Sequence, residues 1–351
     1  MRKLTFLSVT VLTLVLLSAC ASVGKGMEKE QETTVEQEPK EIEGSQDKEQ
    51  QQTDDNIYPL TGQAMDEVSH HRVIGVMVNN HTKARPQSGL SQADIVYEVL
   101  AEGQITRFLA LFHSRIPDTI GPVRSARPYY FEIASAFNSV YFYHGAATAI
   151  NRQIAANGIH YLDGSMYDNN GWLFQRSSER SAPHNSYLIT AGLDQALTNK
   201  EYPRDHEIAP LPFSKENQVI NGTDAKDVTI TYSGHPEEVV TFTYDEASGQ
   251  YLRSSDGKPS FDAANEERLA VDNVMIVEAE HQIIDSKGRR DIDLTSGGKG
   301  YLIQKGKVKE ITWKNIDGRI LPFDNEEPLS FVPGQTWVNI TPKNAAITIN
   351  D

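Results

Sequence analysis

The sequence predicts an α+β fold: a layered sheet-and-helix N-terminal part followed by a mainly antiparallel β-rich C-terminal part. Three observations carry this. Between 73 and 158, β-branched runs that end in polar residues alternate with one-faced helical spacing, the rhythm of a sheet layered with helices. From about 207 onward, apolar residues recur at period two in short runs separated by Gly, Asp, Ser and Pro. At 351 residues the chain exceeds what a single core usually fills, so two parts are expected, 58–206 and 207–351.

Residues 1–19 belong to neither part. Arg2 and Lys3 precede a short apolar run from Leu4 to Leu17, and Leu17-Ser18-Ala19 leads into Cys20, the only cysteine. The run is too short for an ordinary spanning helix and resembles a bacterial lipoprotein signal, with Cys20 as the lipid-modified first residue of the mature chain. No cysteine is left for a disulfide, a thiolate metal site or a thiol nucleophile. Residues 20–57 read as a disordered acidic tether: 21–57 holds eleven acids against four lysines and almost no large apolar residue. The whole chain carries −15, and the part beyond the tether stays acidic. An acidic body without a basic cluster argues against nucleic acid and against docking on anionic lipid heads.

Order is expected from Tyr58-Pro59-Leu60. Val73 to Val78 is a buried strand running into Asn79-Asn80. Residues 94–102 fit either period, but Ile95-Val96-Tyr97 and Val99 favour strand. Gly103 then turns the chain into a second strand at 105–113, giving a hairpin. Gly121-Pro122-Val123-Arg124-Ser125-Ala126-Arg127 joins this strand to a helix over 128–138, with Tyr130, Ile133, Ala134 and Phe137 on one face. A strand at 140–143 ends in His144-Gly145, and a helix over 147–157 is closed by Gly158. Residues 163–180 read as an irregular loop. Ala182-Pro183-His184-Asn185 follows, and then a helix through Leu197. The C-terminal part is expected to contain strands at 227–232, 238–244, 250–254, 271–279, 300–304, 308–313 and 336–341.

With these residues in hand, the chain resembles the YerB-like family of bacterial lipoproteins. The matching stretches include Val76-Met77-Val78-Asn79-Asn80, Ala84-Arg85-Pro86-Gln87-Ser88-Gly89-Leu90, Ala93-Asp94-Ile95-Val96-Tyr97-Glu98, Glu102-Gly103-Gln104-Ile105-Thr106-Arg107 and Pro183-His184-Asn185. The segment from Ile120 to Arg127 also matches, as do Gly298-Lys299-Gly300-Tyr301, Ile311-Thr312-Trp313 and Pro333-Gly334-Gln335-Thr336-Trp337 farther on. The resemblance implies an α+β fold with a β-rich end and a lipid-anchored location, and leaves activity open.

The candidate chemistry centres on the segment from Gly121 to Arg127. A loop-to-helix junction directs backbone N–H groups and guanidinium donors at one place, so Arg124 and Arg127, joined by Arg85 and Arg107, are candidate ligands for a carboxylate or phosphate. The competing reading pairs them internally with Glu98, Glu102 or Glu132. Ser125 is a candidate nucleophile with His144 or His184 as base. It lacks G-x-S-x-G or S-x-x-K context, and its place before a helix predicts an N-cap instead. His144, His184 and Asn185 are candidate ligand donors.

Glu98 and Glu102 are candidate glycosidase carboxylates. Four strand steps place them roughly 13 Å apart, beyond the ~5–9.5 Å such pairs use. Metal signals are weak: His70 and His71 are adjacent, and Asp291-Ile292-Asp293 lacks the glycine and the bidentate acid of a calcium loop, so neither metal nor cofactor is expected. Tyr129, Tyr130, Tyr141, Tyr143, Tyr161, Tyr167 and Trp172 suit either core packing or stacking on sugars.

The function expected is that of a lipid-anchored extracytoplasmic binding or scaffolding protein whose arginines hold an anionic group of a wall glycopolymer or peptidoglycan. The alternatives are a cell-wall hydrolase using the same His and Glu residues, and a structural lipoprotein that docks an envelope protein partner.

Overall fold

The computed structural model describes residues 56–65, 71–215, 218–233 and 239–351. The signal at 1–19, Cys20 and all but the last two residues of the expected tether lie outside these.

The apolar run before Asn79 forms strand β1 (Ile74–Asn79), buried along its whole length. It is apolar on both faces because both are covered. Ile74, Val76 and Val78 point into one core layer and Met77 into the other. The expected hairpin is present: β2 (Ile95–Leu100) and β3 (Thr106–Phe112) pair antiparallel, with Ile95 opposite Leu111 and Leu100 opposite Thr106. β3 pairs antiparallel with β1, whose other edge takes the strand Val140–Tyr143 in parallel.

These strands form one half of a twelve-stranded sheet, and the other half comes from the C-terminal part of the chain. The join is Thr336–Pro342, which runs parallel to β2 on one side and to Asn273–Ala279 on the other. Beyond it lie Gly298–Gln304, Lys307–Ile316 and Arg319–Asp324 in an antiparallel meander. Strands from both sides of residue 206 therefore share this sheet.

Each face of the large sheet is covered. A six-stranded antiparallel sheet, built chiefly from Asp227–Thr231, Val239–Asp245, Gln250–Ser255 and Ala346–Asn350, lies over one. Its Val228, Ile230, Val240 and Phe242 pack with Val76, Phe108 and Trp337. Helices α1 (Pro128–Ala136) and α2 (Thr148–Ala156) cover the other, where Tyr129, Phe131, Ile133 and Ile154 meet Met77, Leu109 and Met275. Among the described residues no helix is long and apolar enough to cross a membrane.

Two local expectations need correction, and a third alternative is decided. The helix expected after Asn185 is instead a strand, Ser186–Ile189, followed by a 3-10 turn and then helix α3 (Leu193–Asn199). The strand pairs on both sides, with Thr119–Ile120 and with Phe174–Arg176. That second partner also gives the expected loop at 163–180 an ordered core. Of the aromatic set, Tyr129, Tyr130, Tyr141 and Tyr143 are buried in the helix-side layer, which removes them as sugar platforms.

Candidate functional site

The Gly121–Arg127 segment is held by main-chain bonds to four separate stretches of the chain. Ser88 and Gly121 exchange bonds (2.8 and 3.1 Å), Asn79 N–H donates to Pro122 O (2.8 Å) and Arg124 N–H to Met77 O (2.8 Å). Val123 N–H donates to Ser186 O (2.6 Å), His144 N–H to Arg124 O (3.0 Å) and Ala126 N–H to Gly145 O (3.2 Å). Gly121 adopts φ +153°, and a Cβ there would lie 2.9 Å from Val123 N and 3.0 Å from Ser186 O, so the position requires glycine.

This geometry overturns two expectations. Four of the amides expected to receive an anion are already spent on carbonyls. The N-cap of α1 is Arg127, in extended conformation with Pro128 at the first helical position, whereas the Ser125 hydroxyl donates to His144 O (3.2 Å). Ser125 is thus neither the cap nor hydrogen-bonded to a histidine ring.

The side chains of the segment open into a cleft of about 290 Å³. Its walls carry Arg107, Arg124, Arg127, Glu102, His81 and His184. Glu102, in the turn between β2 and β3, forms ion pairs with both Arg107 and Arg127. Arg107 also donates to Ser125 O (2.9 Å). Arg124 differs: among the described residues no acid lies within salt-bridge distance of it. Burial, and after it the charge of Arg107, pushes its guanidinium down to about 10. Three arginines and one carboxylate leave two positive charges in excess in a half-buried space, an arrangement suited to an oxyanion.

His184 is fixed by Asn79. The Asn79 Oδ1 accepts from His81 N–H (3.0 Å), which orients its amide so that Nδ2 donates to His184 Nδ1 (2.9 Å). His184 Nδ1 is therefore an acceptor, and the ring proton sits on Nε2. The ring lies 4.5 Å from that of His81. Burial, followed by the charges of His81 and Arg124, keeps His184 below its ordinary value.

The other candidates fall outside this cleft. His144 Nε2 faces Arg176 Nη2 (3.3 Å), which can only donate, so Nδ1 carries the proton and gives it to Ser186 Oγ (2.8 Å). A donor to Ser186 does not act as its base, and Ser186 is itself buried. Asn185 accepts from Arg176 (2.8 Å) and donates to Ser177 O (3.1 Å), bracing the turn that presents His184. Arg85 is taken by Asp256 (2.5 Å) and by Asn80 O (2.9 Å).

Glu98 faces the opposite layer, fully buried, and accepts from Arg253 (2.9 and 3.1 Å), Trp337 (2.9 Å) and Thr106 (2.9 Å). It does not line the cleft with Glu102, in keeping with the wide strand spacing that counts against a glycosidase pair. Among the described residues no three His, Cys, Asp or Glu side chains are grouped to hold a metal ion. Sequence reasoning missed His81 and Asn79. The available signal was their place at the polar end of a buried strand, where layered sheets gather functional groups.

A family model described as "Protein of unknown function (DUF3048) N-terminal domain" matches residues 60–203, and its C-terminal counterpart matches 228–338. A protein of Bacillus subtilis (strain 168) named "Putative lipoprotein YerB" is 44% identical over 294 residues, covering 83% of this chain and 88% of that protein. The crystal structure of YerB protein from Bacillus subtilis is similar at a TM-score of 0.77, over 83% of this chain and 99% of that one.

Proposed function

Since this chain belongs to the DUF3048, YerB-like family, we propose that it is a lipoprotein anchored through Cys20 on the extracytoplasmic face of the cell membrane, where the Arg124 cleft binds an anionic group of a cell-envelope ligand. The name of the Bacillus subtilis relative and the Leu17-Ser18-Ala19-Cys20 pattern support the anchor. One observation carries the binding reading: Arg124 is half-buried in a cleft beside Arg107 without an acid of its own. A buried guanidinium kept beside another cation costs stability unless an anion joins it. Glu98 is spent on Arg253 outside the cleft and the Ser125 hydroxyl donates to a backbone carbonyl, so the residues of the hydrolase reading do not converge, which favours binding over hydrolysis.

The test uses the mature chain made without its signal and with Cys20→Ser, titrated onto purified wall glycopolymer and peptidoglycan fragments. Arg124→Ala should weaken binding about tenfold to a hundredfold, because a charge-assisted contact is worth ~1.5–3 kcal/mol. A folded Arg124→Ala protein that binds as well as wild type refutes the cleft. In cells, Cys20→Ala should release the protein from the membrane, and persistent acylation of that variant refutes the anchor.

A further inference from the structure

We propose that the group held in the Arg124 cleft is a phosphate monoester in its doubly charged form, contacted by Arg124 and by the Nε2–H of a neutral His184; this rests on the anion-cleft reading above. Charge selects it first. Glu102 is shared between Arg107 and Arg127, so that trio is one negative charge short, and Arg124 adds a second deficit. A carboxylate or a phosphodiester supplies one charge and leaves a half-buried cation unmatched, whereas a monoester dianion supplies both.

Shape selects it next. Arg124 enters from the segment before α1 and His184 from the turn before Ser186–Ile189. A planar carboxylate is matched by one guanidinium fork, while a tetrahedral phosphate presents oxygens to donors from different elements. A volume of about 290 Å³ holds a phosphate and a short polyol or sugar fragment but not a polymer segment. The ligand is therefore a small phosphorylated molecule or the phosphorylated end of a larger one.

The histidine acts as a fixed donor and not as a titrating switch. Asn79 occupies Nδ1 as a donor and cannot turn over without abandoning His81 N–H, so a proton arriving at Nδ1 would face another N–H. The charged and titratable groups around the ring are His81, Arg124, Lys83 and Arg180, and each opposes a further positive charge. Binding should accordingly follow the ligand's own second ionisation, near pH 6 for a phosphate monoester.

The experiment is calorimetric titration of the mature Cys20→Ser chain with sn-glycerol 3-phosphate, the diester bis(glycerol) phosphate, and lactate. At pH 7.5 the monoester should bind about tenfold or more tightly than the other two. Arg124→Ala should lose about tenfold or more, and His184→Leu should lose more than His184→Gln, whose amide can still donate. Affinity for the monoester should fall between pH 7.5 and 5.5, with binding heats at pH 7.5 independent of the buffer. Equal or tighter binding of the diester or lactate, still dependent on Arg124, overturns the monoester assignment and leaves the cleft standing. Buffer-dependent heats at pH 7.5, reporting proton uptake that His184→Gln abolishes, overturn the neutral-histidine assignment. Failure of every anion to bind, or equal binding to Arg124→Ala, overturns the cleft itself.

Discussion

Replacing Glu98 by glutamine should cost this protein a large part of its stability without touching the cleft. Glu98 is 0% and Arg253 2% exposed, so water screens neither charge. The guanidinium lies 5.3 Å from the Phe108 ring centroid and 4.6 Å from that of Trp337, with the Glu98 carboxylate as its counter-ion across the two sheets. In Glu98→Gln one acceptor oxygen becomes a donor facing Arg253, Trp337 and Thr106, all donors themselves, and the buried cation loses its partner. Breaking a buried pair in this way costs about 3–5 kcal/mol. At a urea dependence of ~3 kcal/mol/M, that moves the unfolding midpoint down by roughly 1–1.7 M with an unchanged slope. Circular dichroism followed through a urea series measures it. Replacing both partners by methionine should recover most of the loss, since the desolvation penalty goes with the charges. A midpoint shift under about 0.3 M for Glu98→Gln would show that the pair is not the counter-ion arrangement described, because among the described residues no other acid reaches Arg253.

Two further outcomes follow from the same coordinates. Glu102→Gln removes the carboxylate shared by Arg107 and Arg127, so sn-glycerol 3-phosphate should bind several-fold more tightly, by about 0.5–1.5 kcal/mol, while the unfolding midpoint falls. Weaker binding in a folded Glu102→Gln protein would mean that Glu102 contributes to the ligand contact instead of competing with it. His281 gives the pH dependence: its Nδ1 donates to Ala279 O (3.1 Å) and its buried Nε2 has no partner, so burial lowers the ring from 6.5 to about 4. Between these values the unfolded chain binds more protons than the native one, so stability rises with pH across the interval and is lost as pH falls through it. Urea midpoints at pH 7 and pH 4.5 should therefore differ less in His281→Gln than in wild type; equal differences would sink this assignment.

The elements legible in the sequence are those whose partners are near in the chain or whose pattern needs no partner. β1 reads as an unbroken apolar run, and the β2–β3 hairpin from the strand formers Ile95-Val96-Tyr97 and Val99 ahead of the turn at Gly103. Thr336–Pro342 was visible as a strand, but its insertion between β2 and Asn273–Ala279 was not, because parallel pairing leaves no local trace of register. The strand Ser186–Ile189 is hidden in the sequence because its two partners, Thr119–Ile120 and Phe174–Arg176, are themselves too short to read as strands. In the site, Arg107, Arg124, Arg127 and His184 were identified by residue type and position, and Glu102 was one of three acids named as a competitor. Nothing in the spacing separates Glu98 from Glu102. The difference is set by Arg253, far along the chain, which claims Glu98 from the other sheet.

The allocation of carboxylates explains how an acidic chain keeps a positive cleft. Asp256 is held by Arg85, Glu98 by Arg253 and Asp168 by Arg176, while Asp163 accepts from the amides of Gly145 and Ser165. Glu132, on α1, has its carboxyl pushed up by burial and then by the charge of Asp291. Among the described residues Glu102 is the one acid lining the cleft, and it serves two guanidiniums. Arg124 is thus left over on a segment whose backbone is tied to β1, to Ser186 and to His144. A backbone anchored in advance lowers the reorganisation an anion site needs when its partner arrives, and the hydrogen-bonded Gly121–Arg127 segment supplies that condition.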